Sequence, residues 1–215
     1  MTHTPSKKDL RKAYWSALTD MQYGRAIAIY EKYAKKKRLS PKETADLGLF
    51  YDHRAPFRRV KALKKRDEAR ALALYKQLVT TQSGKIYGLN GIARIFWHRT
   101  DPKAILYYRK ALPLYPKDKR WIGYQNLANA YFSLGYYRVA ERCYSKALRA
   151  EGKGKGHGFY YNLAKFYYFT HEPKKTASYL RKALRLLERF RRVYGTTKEY
   201  LLTKETLIKM KDGTL

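Results

Sequence analysis

The sequence predicts an all-α fold: a solenoid of stacked helix-turn-helix hairpins with a C-terminal capping helix. Three observations carry this. In Trp121–Ala150, Tyr124, Leu127, Ala128 and Tyr131 fall at i, i+3, i+4 and i+7, one face of a helix, and Ala140, Tyr144 and Ala147 fall at i, i+4 and i+7 on a second. Gly135 breaks the chain between them. The pattern then recurs 36 residues downstream, as Tyr160, Leu163, Ala164 and Tyr167 followed by Thr176, Leu180 and Ala183, and 36 residues upstream, as Ala104, Tyr108 and Ala111. The upstream copy has Leu89, Ile92, Ala93 and Phe96 on its first helix, with a turn one residue shorter.

Taken in order, residues 1–6 are expected to be disordered. Lys7–Thr19 reads as a helix with Leu10, Ala13, Tyr14 and Ala17 on one face, and Tyr23–Lys37 as its partner, with Ala26, Tyr30 and Tyr33 aligned. Ser40-Pro41-Lys42-Glu43 is a helix start: serine caps, proline takes the first turn and glutamate reaches back. The helix it opens carries Thr44, Leu47, Gly48 and Tyr51 and runs to about Asp52. Beyond Pro56 comes a basic run, RRVKALKK, read as a solvated face within an extra helical turn or a protruding loop (Phe57–Arg66). Ala71, Leu74, Tyr75 and Leu78 mark the next helix. Asp101 is the expected cap of the helix at Pro102, and Glu172 is given the same part before Pro173. The glycines of EGKGKGHG, Gly152 to Gly158, predict an inter-repeat turn. That run fails the phosphate-loop pattern. Thr196-Thr197-Lys198-Glu199 reads as a capping box for a last helix, carrying Tyr200, Leu201, Leu207 and Ile208 to about Lys211.

At Tyr124-x2-Leu127-Ala128-x2-Tyr131 and Ala140-x3-Tyr144 the chain resembles the tetratricopeptide repeat (TPR) family, whose pattern is W-x2-L-G-x2-Y…A-x3-F…P. Here Tyr replaces Trp and Ala replaces Gly, and Pro116 alone stands where the closing proline belongs. The resemblance covers residues 85–192 and implies a right-handed solenoid. The expected organisation is therefore a disordered start (1–6), degenerate TPR-like hairpins (7–84), three TPR repeats (85–192) and a capping helix and tail (193–215).

Charge is the second informative feature. The chain carries 48 Lys and Arg against 17 Asp and Glu, a net charge of +31. A chain this basic attracts polyanions at low salt, so the surplus marks either a nucleic-acid or acidic-partner surface or simply a lysine-rich solvated face. Twenty-two tyrosines suit a shallow core, because a tyrosine buries its ring and keeps its hydroxyl wet. One cysteine, Cys143, leaves no internal disulfide and is read as structural. The first ten residues lack a signal-peptide core, and no window is long and apolar enough for a membrane span. The expected location is cytoplasmic.

Nothing points to catalysis. The five histidines show no ligand spacing, no Cys/His cluster exists, and there is no nucleophile elbow. The sequence predicts no enzyme, no cofactor, no metal site and no small-molecule substrate. The expected function is a non-catalytic scaffold that mediates protein–protein interaction through a concave groove. The resemblance implies that groove residues lie one, two and five positions after the first core residue of each first helix. These are Asn90, Gly91 and Arg94, then Gln125, Asn126 and Asn129, then Tyr161, Asn162 and Lys165, with Tyr87 and Trp97 nearby. Amides there suit a peptide backbone, and Arg94 and Lys165 suit a carboxylate. Chaperone-binding members of the family clamp a terminal carboxylate with a set of Lys, Asn and Arg, of which only Asn126 is matched. The alternative is RNA or DNA backbone held on a basic ridge of the second helices: Arg109 and Lys110, Arg142, Lys146 and Arg149, and Arg181, Lys182 and Arg185. The ridge shows no regular interleaving of exposed aromatics for base stacking.

Overall fold

A capped helix opens the chain. Ser6 accepts from the Asp9 amide while the Asp9 carboxylate accepts from the Ser6 amide, a reciprocal box that starts α1 (Lys7–Asp20). The structure is a computed structural model and describes residues 4–151 and 155–214, with the side chain of Glu199 also outside the description. Among the described residues every regular element is helical. After α1 come α2 (Tyr23–Ala34), α3 (Pro41–Arg54), α4 (Lys61–Val79), α5 (Lys85–His98) and α6 (Lys103–Ala111). Then follow α7 (Arg120–Ser133), α8 (Tyr137–Arg149), α9 (His157–Phe169), α10 (Pro173–Tyr194) and α11 (Lys198–Lys211). These are five consecutive hairpins and one closing helix. Among the described residues no helix is long and apolar enough to cross a membrane.

The chain divides into two compact units, residues 1–114 and 115–215. In the first, α1/α2, α3/α4 and α5/α6 pair as hairpins, and α4 also packs along α5. Small residues on one helix receive large ones from the next: Ala13, Ala17 and Ala26 are buried with Tyr30, Tyr33 and Phe50. In the second unit α7 pairs with α8 and α9 with α10. Ala128, Ala140 and Ala147 pack with Tyr144, Leu163 and Phe166. Tyr124 and Tyr160 hold equivalent partly buried places, each beneath a lysine from the following helix, Lys146 (5.9 Å from the ring centre) and Lys182 (5.6 Å). Each unit is built of helical hairpins.

Several local expectations are refined. The Ser40 box forms as predicted. Asp101 caps α6, accepting from the Lys103 amide at 2.8 Å. Glu172 makes no side-chain cap; its carboxylate lies 3.6 Å from Lys175 instead. The last cap is Thr197, one residue later than the predicted box, because its hydroxyl accepts from the Tyr200 amide at 3.2 Å. The Glu199 side chain of that box lies outside the described residues. So do residues 1–3 of the expected disordered start and 152–154 of the glycine run; Gly158 falls inside α9. On α11, Tyr200 and Leu207 are buried but Leu201 and Ile208 are exposed, so only half of the predicted apolar face is covered. Cys143 is half-buried, and burial pushes its thiol up.

The basic run after Pro56 splits. Lys61–Arg66 form the exposed first turns of α4, whereas Arg58 turns inward with Arg54 onto Asp67. Arg54 is bidentate to that carboxylate at 2.6 and 2.8 Å, and Arg58 adds a contact at 3.0 Å. Burial opposes the charge on Asp67, and the two guanidiniums outweigh it, holding the carboxyl below its usual range.

Candidate interaction surface

In unit 1 the first helices are α1, α3 and α5. Their first core residues are Leu10, Thr44 and Leu89. Two positions before that residue stand Lys42 on α3 and Tyr87 on α5; five positions after it stand Trp15 on α1 and Arg94 on α5. Trp15 and Tyr87 are each 42% exposed, a large aromatic surface to leave in water. One lysine lies between them. The Lys42 ammonium sits 4.5 Å above the Tyr14 ring and Tyr14 meets Trp15 edge-on at 5.7 Å, while Tyr87 acts on Lys42 only as a weak electrostatic neighbour. Burial alone would lower the Lys42 ammonium's affinity for its proton, but Asp46 at 2.9 Å reverses this and raises it. Lys8 and Arg11, exposed at i and i+3 with Trp15 at i+7, extend the strip along α1. The result is an aromatic and cationic strip across three successive first helices.

Beside it lies a buried knot. The Arg94 guanidinium reaches Asp52 at 2.5 Å and the Tyr75 hydroxyl at 2.5 Å, tying α5 to α3 and α4. The Asp52 side chain is 5% exposed. Arg94 is therefore occupied by its own chain, a correction to its predicted role toward an outside carboxylate. The reason is that a buried aspartate in the neighbouring hairpin needs a cation more than a distant ligand does. Gly91 is likewise not on the groove: a methyl there would collide with the Tyr75 ring. Asn90 donates to the Ile86 carbonyl at 2.7 Å.

His53 packs in the same region, 5.5 Å from the Tyr23 ring. Burial first, then the Arg94 charge, pull its pKa from 6.5 down to about 4, and burial lowers His98 as well. The unfolded chain thus takes up protons that the folded one refuses. The His53 contribution to stability is full above pH 6.5, begins to fall there, and is lost below about pH 4. For His53 alone that contribution is up to about 3 kcal/mol. Urea unfolding of wild type should lose stability between pH 6.5 and 4.5, and His53→Gln should flatten that decline.

In unit 2 the predicted positions divide. The Asn129 carbonyl accepts from the buried Tyr144 hydroxyl at 2.5 Å, bridging α7 and α8. That oxygen is engaged by the fold, so any groove contact of Asn129 falls to its amide nitrogen. The Asn126 amide lies 3.4 Å from the Tyr115 hydroxyl. Tyr161 is partly covered and pairs with Thr206 of α11. Gln125, Asn162 and Lys165 are half-buried, and Lys165 has no carboxylate partner among the described residues.

The predicted ridge residues Arg109, Lys110, Arg142, Lys146, Arg149, Arg181, Lys182 and Arg185 are all exposed. Their lysines nevertheless lean on tyrosines: Lys110 over Tyr107, Lys146 over Tyr124, and Lys182 over both Tyr160 and Tyr179. Those ring faces are covered by the chain's own cations, so a stacking base would have to displace them.

Trp15 was the residue that sequence reasoning missed. The register that marks Arg94, Asn129 and Lys165 also marks Trp15, once it is applied to the degenerate first hairpin.

No protein-family model and no curated protein sequence matches the chain. Among solved structures it is similar to the C-terminal part of a TPR repeat-containing protein from Cytophaga hutchinsonii, at 19% identity and TM-score 0.43, covering 84% of this chain and 80% of that one. It is also similar to PilF of Pseudomonas aeruginosa, at 15% identity and TM-score 0.41, covering 93% and 98%. Likeness of this degree says nothing about what the chain binds.

Proposed function

We propose that the chain is a non-catalytic TPR-like scaffold that holds an acidic segment of a partner protein. The observation that supports this is the strip Trp15, Lys42 and Tyr87, which spans three first helices, with Trp15 at a position the family uses for contact and Lys42 and Tyr87 two residues before the first core position. Exposed tryptophan and tyrosine supply anchors of large area and low entropic cost. The surrounding cations, in a chain of net charge +31, select acidic residues between the anchored side chains. In unit 2, Gln125 and Asn162 suit a peptide backbone and Lys165 an acidic side chain, in the same register.

A randomised peptide display library panned on the purified protein tests this. Enriched peptides should carry Asp or Glu beside large apolar residues, and Trp15→Ala with Tyr87→Ala should weaken them at least tenfold. A library without enrichment, together with steeply salt-dependent binding of random-sequence RNA that survives both substitutions, would favour the phosphate-backbone reading instead.

A further inference from the structure

An apolar recess lies entirely in unit 2, at the end remote in sequence from the strip. It is a cleft of about 730 Å³ bounded by the α9–α10 turn, one flank of α10 and the C-terminal end of α11. Its wall is apolar: Ala177, Leu180 and Leu184 from α10, Met210 from α11, and Tyr168 from α9. The cleft is about half open to solvent, and its size and apolar lining fall within the range of small-molecule sites.

Its charges are unequal. Glu172 lies at the rim but is engaged with Lys175 at 3.6 Å. Arg181 on α10 and Lys211 on α11 also line the cleft, both exposed, and neither has a carboxylate partner among the described residues. Two uncompensated cations beside an apolar recess complement one kind of molecule: an apolar body that ends in an anion. A hydrophobic cation would meet repulsion from both, and a small polar anion would leave the apolar wall wet.

We propose that this cleft is a binding site for a small apolar carboxylate, its chain against Leu180, Leu184 and Met210 and its acid group between Arg181 and Lys211. The site is independent of the partner strip, so the two readings can fail separately.

Isothermal titration of the whole chain with decanoate, decyltrimethylammonium and acetate tests it. Decanoate should bind saturably at one site per chain, and the other two should not. Arg181→Glu should weaken decanoate at least tenfold. Ala177→Trp, which fills the cleft from a partly exposed position, should abolish binding with the thermal melt unchanged. Trp15→Ala should leave it intact. Equal binding of the cationic amphiphile, or decanoate affinity untouched by Arg181→Glu, would overturn the proposal. So would tight binding of an acidic peptide in the cleft where decanoate does not bind.

Discussion

Replacing Arg94 by alanine is expected to destabilise unit 1 by about 3–5 kcal/mol, among the largest effects a single surface-to-core change can have. The change does more than delete contacts. It strands Asp52, whose side chain is 5% exposed, without the guanidinium that reaches it at 2.5 Å. It also removes the partner of the Tyr75 hydroxyl, whose ring is 1% exposed. Arg94→Lys restores the charge but not the fork that serves both groups, so most of the loss should persist. Removing the stranded charge is the informative control. Asp52→Asn with Arg94→Ala should be more stable than Arg94→Ala alone. Urea unfolding followed by far-UV circular dichroism reads all three. If Arg94→Ala costs under 1 kcal/mol, the knot is not the anchor described above.

The second large effect is expected at Gly88. Alanine normally improves an exposed helix by about 1 kcal/mol over glycine. At Gly88 the sign should reverse. An added Cβ would stand 2.5 Å from the Tyr75 carbonyl oxygen and 2.8 Å from the Val79 nitrogen, both backbone atoms of α4 that no rotamer change can move. Gly48 adds a second close approach, with a methyl 2.7 Å from the Tyr75 ring. Gly88→Ala should therefore destabilise by about 2–3 kcal/mol, the upper range for an overpacked core. Gly24 and Gly158, helical glycines with nothing within 4 Å of an added methyl, should respond in the opposite direction. Thermal melts of the three variants check the contrast.

These two sites show what the sequence could and could not reveal. Hairpins were legible because their alanines and tyrosines recur at fixed offsets, and burial bears this out at Ala128, Tyr144, Ala164 and Ala183. Helix starts were legible where a cap and its partner are three residues apart, as at Ser40 and Glu43. Arg94 was not, because its partner Asp52 lies 42 residues away on another hairpin and no local pattern links them. The start of α4 was obscured because Lys61–Arg66 are all exposed and show no apolar period. The engagement of the Asn129 oxygen was hidden because the sequence does not show that Tyr144 would need an acceptor. The strip itself was half legible: Tyr87 was named, while Trp15 sits in a hairpin too degenerate to attract the same register.

The central claim is that partners are met by the first helices of the hairpins and not by the cationic second helices. The most direct test is the affinity of one library-derived acidic peptide for two triple variants, Trp15→Ala/Lys42→Ala/Tyr87→Ala and Arg142→Ala/Lys146→Ala/Arg149→Ala, measured by fluorescence anisotropy at physiological salt. The account predicts a loss of at least about thirtyfold for the first, equal to about 2 kcal/mol, and less than about threefold for the second. The reverse order would contradict it.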